Sequence, residues 1–271
     1  MNTDFLRTLN AATYPFDAHY AKELRDIFED QFLRELTGDE KKELGAITFA
    51  PLLFGNRSGS NLLTECLYRA GMGFPEHGEP MNTPSIRKIM EQQCINTFTD
   101  YFLFLVRRFQ KNGVVGFKLS IGQLFDLTRT GLTNHFCNIK LLHCLRHDRL
   151  AQAVSHHIAK SSGNWSTLQS QESRCEPSYS AEAIMQFLRR GAKLEADYRL
   201  YCTIHGTRGM EVWHEDFIRD PSSHIRAIAQ FLNCDADLST VNLKTTSIQP
   251  QGNETNKRFA RQFREDLHLQ K

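Results

Sequence analysis

No Gly-Lys-Ser or Gly-Lys-Thr tripeptide occurs in the 271-residue chain, so the nucleotide-triphosphatase P-loop, with its phosphate-reaching lysine and magnesium-holding hydroxyl, is missing. Gly55 and Gly59 do not supply the Gly-x-Gly-x-x-Gly of a dinucleotide-binding turn either. An excess of either charge is lacking: 33 Lys and Arg stand against 31 Asp and Glu. A formal net charge of +2 is too small to suggest nucleic acid or an anionic membrane surface as a partner. No stretch is apolar for long enough to span a bilayer, so no integral membrane segment is expected. The start, Met1-Asn2-Thr3-Asp4, lacks a basic-then-apolar signal pattern. The seven cysteines are scattered with no Cys-x-x-Cys pair, which points to reduced thiols and a cytoplasmic protein. His143 and His147 fall across a strand end rather than on one helix face, so no metal site is expected there.

What is present is a strand-like run from Ala46 to Phe54, then the polar turn Gly55-Asn56-Arg57-Ser58-Gly59-Ser60-Asn61, then a helix-like run from Leu62 to Ala70. A strand, a small turn and a helix start make an anion cradle: free N–H groups and the helix dipole favour negative charge there. Arg57 adds a positive charge that persists at any relevant pH. The expected ligand is a phosphate or a sulfate; the alternative is a Gly/Ser turn that merely joins a strand to a helix.

A second such junction lies further on. The apolar run from Ile139 ends in Arg146, and Leu150, Ala151, Val154 and Ile158 recur at helical spacing behind Asp148, a plausible N-cap. Strand ends of a parallel sheet share one crevice, so Arg146 and Ser155 should face the first loop. Two anion sites in one crevice suit a ligand with two separated phosphates. The alternative is that Arg146 pairs with a nearby carboxylate. The adjacent His156 and His157 are expected on a solvated helix face.

Together these stretches resemble the bacterial carbohydrate sulfotransferase family typified by trehalose 2-sulfotransferase. Arg57-Ser58-Gly59-Ser60-Asn61-Leu62-Leu63 is similar to its Arg-Ser-Gly-Ser-Thr-Leu-Leu, with Asn61 in place of Thr. The run from Arg146 to Ser155 is similar to its Arg-x-Asp-x-x-x-Gln-Ala-Val-Ser, and Gly116 to Gln123 to its Gly-x-Lys-Leu-x-x-x-Gln. Asn164-Trp165, His214-Glu215-Asp216-Phe217 and Arg261-Gln262-Phe263-Arg264 fall in matching order, so the resemblance covers about Ile47 to Asp266. It implies a P-loop-like α/β fold with a central parallel sheet flanked by helices. It also implies 3′-phosphoadenosine 5′-phosphosulfate (PAPS) as donor and a carbohydrate or glycolipid as acceptor, with a homodimer as the assembly to expect. Arg146 and Ser155 would hold the 3′-phosphate; Ser58, Gly59, Ser60 and Asn61 would hold the 5′-phosphate; Arg57 would stabilise the leaving oxygen. Sulfuryl transfer moves a less charged group than phosphoryl transfer, so a metal clamp is not obligatory.

The acceptor hydroxyl needs a base. In the resembled family this is a Glu after the first helix, and here Glu79, His77 and Glu76 compete, with Glu79 the best aligned. Lys118 is expected to point into the crevice as a substrate-binding residue, or else to form a simple salt bridge; Gln123 lies close by. Trp165 would stack on an adenine or sugar, or serve as a core aromatic. Two other readings remain: a phosphotransferase of related fold, and a non-catalytic nucleotide-binding protein that kept the cradle but lost the base.

Along the chain, residues 1–45 read as a helical extension and 46–271 as the main domain. Asp17 to Leu36 has helical spacing that Gly38 would end. Strands are expected near 46–55, 113–119, 139–146 and 209–214, and helices over Ile184–Tyr201 and Pro221–Asn233, the latter with proline at its start. The polar segment Ser161–Ser180 reads as a mobile loop over the acceptor site.

Overall fold

The computed structural model describes residues 19–28, 32–163, 165, 176–248 and 252–268. In chain order these form α1 (His19–Phe28), α2 (Gly38–Leu44), β1 (Thr48–Phe49), β2 (Leu52–Phe54), α3 (Ser60–Arg69), α4 (Thr83–Gln93) and α5 (Phe98–Phe109). There follow β3 (Val114–Val115), β4 (Lys118–Leu119), α6 (Ile121–Arg129), β5 (Asn138–Ile139), β6 (Leu142–Leu145) and α7 (Arg149–Ser162). The chain continues with α8 (Ala181–His205), β7 (Met210–Trp213), α9 (His214–Arg219), α10 (Pro221–Leu232) and α11 (Glu254–Asp266).

Every strand pairing is parallel, in the orders β3-β1-β5 and β4-β2-β6-β7. The run Ala46–Phe54, expected as one strand, is divided at Ala50-Pro51, where proline has no N–H for the ladder. Its neighbours break at the same level, yet Ala50 N donates to Val115 O at 2.7 Å and Leu142 N to Pro51 O at 3.0 Å. These bonds bridge the break, so the two sets are halves of one sheet. Gly116 is required there: a Cβ would sit 2.4 Å from the Ala50 carbonyl oxygen. With helices on both faces the central strands are wholly buried, which explains their unbroken apolar runs.

The first residues depart from expectation. Helix α1 is described over His19–Phe28; residues 17–18 and 29–31 of the expected helix lie outside the described residues, and residues 32–37 are not helical. Gly38 instead begins α2, behind a Thr37–Glu40 capping box. Before it, Phe32 O accepts the N–H of Phe98 and Arg34 N donates to Thr99 Oγ1, so the chain lies extended against the start of α5. Leu24, Phe28, Leu36 and Leu44 are buried in the same cluster as Phe49, Phe98 and Phe102. Helices α8 and α10 form where expected. Asn164 and residues 166–175 of the polar segment lie outside the described residues.

Candidate active site

The carboxyl ends of β2, β4, β6 and β7 lie at one edge of the sheet, and the loops leaving them meet. The cradle follows β2. Ser58 N closes a turn on Gly55 O at 3.1 Å, and Arg57 and Gly59 both adopt positive φ, 65° and 92°. Helices α5, α6, α7, α8, α10 and α11 each have a side chain capping the first turn. Helix α3 has none, because Gly59 is its N-cap. Its first N–H groups are therefore left for a ligand. Ser58 is 1% exposed and its Oγ has no hydrogen-bond partner among the described residues. A buried hydroxyl without a partner is costly unless something else occupies it, and an anion fits.

Gly59 is held by more than its φ. A Cβ at this position would lie 2.2 Å from Nδ1 of His214, the first residue of α9. Gly59→Ala should therefore displace the cradle from His214. The expected result is a loss of about 1–3 kcal/mol of stability, the usual cost of such strain, read as a lowered thermal midpoint. An unchanged midpoint would show that His214 yields freely.

One face of α7 holds the cradle. Gln152 Nε2 donates to Asn56 O at 3.0 Å, Ser155 Oγ accepts from Arg57 Nε at 2.9 Å, and His156 Nε2 lies 3.2 Å from Asn56 Nδ2. These positions are i, i+3 and i+4, neighbours on a helix surface. His156 and His157 are thus not solvated, as expected from sequence, but 8% and 6% exposed. His156 stacks on Phe187 at 3.9 Å, and His157 meets Ser178 O at 2.7 Å. The signal that could have found them is the Gln152-Ser155-His156 spacing opposite a polar turn.

Burial holds His156 down to about 4, helped by Arg190, Lys160, Arg57 and His157; burial also holds His143 near 4, helped by Arg149 and Arg199. Both rings are neutral when folded and protonate more readily when unfolded. Their contribution to stability is complete above about pH 6.5 and is lost as pH falls toward 4. Thermal midpoints should fall through that window in wild type and fall less in His143→Gln. Parallel profiles would refute the assignment.

Arg57 and Arg146 converge from the two loops. Arg57 Nη1 donates to Trp165 O at 2.7 Å, and Arg146 Nη1 lies 3.3 Å from the Arg57 carbonyl oxygen. Burial, and then the charge of Arg146, lowers the Arg57 pKa below its ordinary value. Such crowding of cations suits an anionic ligand. Arg146 also meets a carboxylate, Glu215 Oε1 at 3.3 Å, as one of the two sequence readings had it. Burial pushes the Glu215 carboxyl up. The N–H bonds of His147 and Asp148 and the Arg146 charge outweigh this and leave its pKa low. Glu215 so fixes the turn that carries Arg146. The Trp165 ring is 38% exposed and lies edge-on to His156.

Lys118, at the end of β4, is 2% exposed. Its Nζ meets Asn61 Oδ1 of the cradle and Glu79 Oε1, the latter at 2.9 Å. Glu79 Oε2 in turn accepts from Asn82 Nδ2 at 2.5 Å. Of the other two candidate bases, His77 points elsewhere. His77 Nε2 lies 3.2 Å from Ser247 Oγ and 3.9 Å from Glu76. Gln123 is spent inside the protein: its Oε1 accepts from Ser120 N, and its Nε2 donates to Met81 O at 3.0 Å. Tyr20 Oη donates to the same Met81 carbonyl at 2.7 Å, and Tyr101 Oη to Pro80 O at 2.5 Å. Three long-range donors thus pin the segment that carries Glu79. Among the described residues no group of three or more His, Cys, Asp or Glu is gathered as for a metal ion, and no helix is long and apolar enough to cross a membrane.

Residues 105–266, more than half of the chain, match the family described as Stf0 sulphotransferase. The chain belongs to that family. Within this Stf0 match lie Lys118, Gln123, Arg146, Ser155 and Trp165; the cradle and Glu79 precede it. No curated protein sequence matches the chain. Among solved structures, the sulfotransferase domain of the Synechococcus PCC 7002 olefin synthase is similar at 17% identity and a TM-score of 0.49, over 87% of this chain and 91% of that one. Mouse sulfotransferase SULT7A1 complexed with PAP is similar at 13% identity and a TM-score of 0.42, over 88% and 71%. Retinol dehydratase with androsterone and inactive cofactor PAP is similar at 13% identity and a TM-score of 0.37, over 91% and 84%.

Proposed function

We propose that this sulfotransferase moves a sulfuryl group from PAPS to a hydroxyl of a carbohydrate or glycolipid. The observation that carries the reading is the convergence of Arg57, Arg146 and Ser155 on one uncapped helix start beside the buried, unpartnered Ser58 hydroxyl. In this reading the N–H groups of Ser58, Gly59, Ser60 and Asn61 and the Ser60 hydroxyl hold the 5′-phosphate. Arg146 holds the 3′-phosphate with Ser155, whose hydroxyl accepts from Arg57 and keeps its own hydrogen to donate. Trp165 stacks on the adenine or the sugar.

Glu79 takes the proton of the acceptor hydroxyl. The acceptor oxygen bonds to sulfur as the bond from sulfur to the phosphate oxygen breaks, and the electron pair leaves on that oxygen. Arg57 and Lys118 meet the charge there. Gln123 acts by positioning Glu79 through Met81 and does not touch substrate.

Calorimetric titration with 3′-phosphoadenosine 5′-phosphate (PAP) tests the donor assignment. Wild type should bind it tightly and ATP poorly. Arg146→Ala should bind PAP about 10–100-fold more weakly, the loss of a hydrogen bond to a charged group. Absence of PAP binding to wild type would end the sulfotransferase reading of the cradle.

A further inference from the structure

A cavity of about 380 Å³ opens beside the cradle, where Gly55 and Asn56 face α7 and α8. Its volume is in the range of small-molecule sites, about 300–1,000 Å³. Its walls are Phe54, Ala153, Phe187, Leu188 and Leu194. Two of its lining residues lie near Lys118. The Phe54 ring, which lines it, lies 5.1 Å from Lys118 Nζ, and Ser120, also in its lining, is two residues beyond Lys118.

The polar groups around it are engaged with one another. Gln152 Nε2 is bonded to Asn56 O, and Asn56 Nδ2 meets His156. The Ser120 hydroxyl caps α6, and Arg149 pairs with Glu195 at 2.7 Å. Arg190 stands exposed among the lining residues. A bare polyol entering here would give up water for apolar walls and few open partners, which costs free energy. An apolar group would gain by the same move.

We infer that the acceptor is amphipathic: its hydroxyl is presented to Glu79 and Lys118 while an attached alkyl or aryl group fills this cavity. The inference rests on the sulfuryl-transfer reading and narrows its acceptor from a carbohydrate or glycolipid to a hydroxyl-bearing head with an apolar tail.

The cavity is tested with 1-butanol, 1-hexanol and 1-octanol, each titrated into wild type, Ala192→Trp and Phe187→Ala with and without PAP. Glucose and trehalose serve as polar comparisons. Ala192 is an exposed lining residue on α8, so a tryptophan there fills space without disturbing the core. Wild-type affinity should rise about fourfold for each added methylene, the fold-change for burying one CH₂. Ala192→Trp should flatten the series, and Phe187→Ala should shallow it, with PAP affinity kept in both. A flat series in wild type, a series indifferent to both variants, or trehalose binding more tightly than 1-octanol would overturn the inference. Failure of wild type to bind PAP strikes the donor reading instead, since the alcohol series without PAP reports on the cavity alone.

Discussion

Glu79→Gln should lower kcat by about 10²–10⁴-fold, the range for loss of a general base, with PAP affinity unchanged. The glutamine keeps the shape of the side chain and an oxygen for Lys118 or Asn82, but it cannot take a proton. His77→Ala and Glu76→Ala should stay close to wild type, because His77 is turned toward Ser247 and Glu76 lies beside His77, whereas Glu79 meets Lys118. A structural role for Glu79 predicts a different pattern: a lowered thermal midpoint with kcat largely kept. Full activity in Glu79→Gln would move the base elsewhere. Full activity in all three variants would leave the non-catalytic reading standing.

Lys118→Met is the second large effect. The ammonium is almost wholly enclosed, bound to a carboxylate and to a cradle side chain, and it lies over the Phe54 ring. Removing one member of an ion pair leaves the other uncompensated and destabilises. Glu79 is partly exposed to water, so the midpoint should fall only modestly. Catalysis should suffer more. Loss of a preorganised cation at the leaving oxygen should cost about 10²–10³ in kcat. If Lys118 served only as a salt bridge, the midpoint would fall and kcat would hold. Single-turnover measurements with saturating donor separate these outcomes.

Much of this site was legible in the sequence, for local reasons. The strands show because a parallel sheet covered on both faces needs uninterrupted apolar runs. The cradle and Arg146 show because strand–turn–helix junctions leave a local signature. What was hidden depends on distant partners. His156 and His157 look solvated on their own helix; Phe187 and Ser178, brought over by α8 and the segment before it, enclose them. Gly38 looks like a helix end, yet the Thr37–Glu40 box and the pairing of residues 32–34 with α5 put it at a helix start. Glu79 could not be separated from His77 by alignment alone. Lys118, 39 residues further on, meets Glu79, which is the ground for proposing Glu79.

The bond from Tyr20 to the Met81 carbonyl carries a consequence for how the chain is made. Helix α1 leaves the ribosome before its hydrogen-bond acceptor, which lies 61 residues downstream. Its buried Phe28 packs on Phe98 and Tyr101, which are synthesised later still. Until those residues emerge, Leu24 and Phe28 have no native surface to cover them, and the nascent chain presents an apolar helix to whatever is nearby. The segment that carries Glu79 gains its bond from Tyr20 only after the growing chain has folded back on a helix made before it.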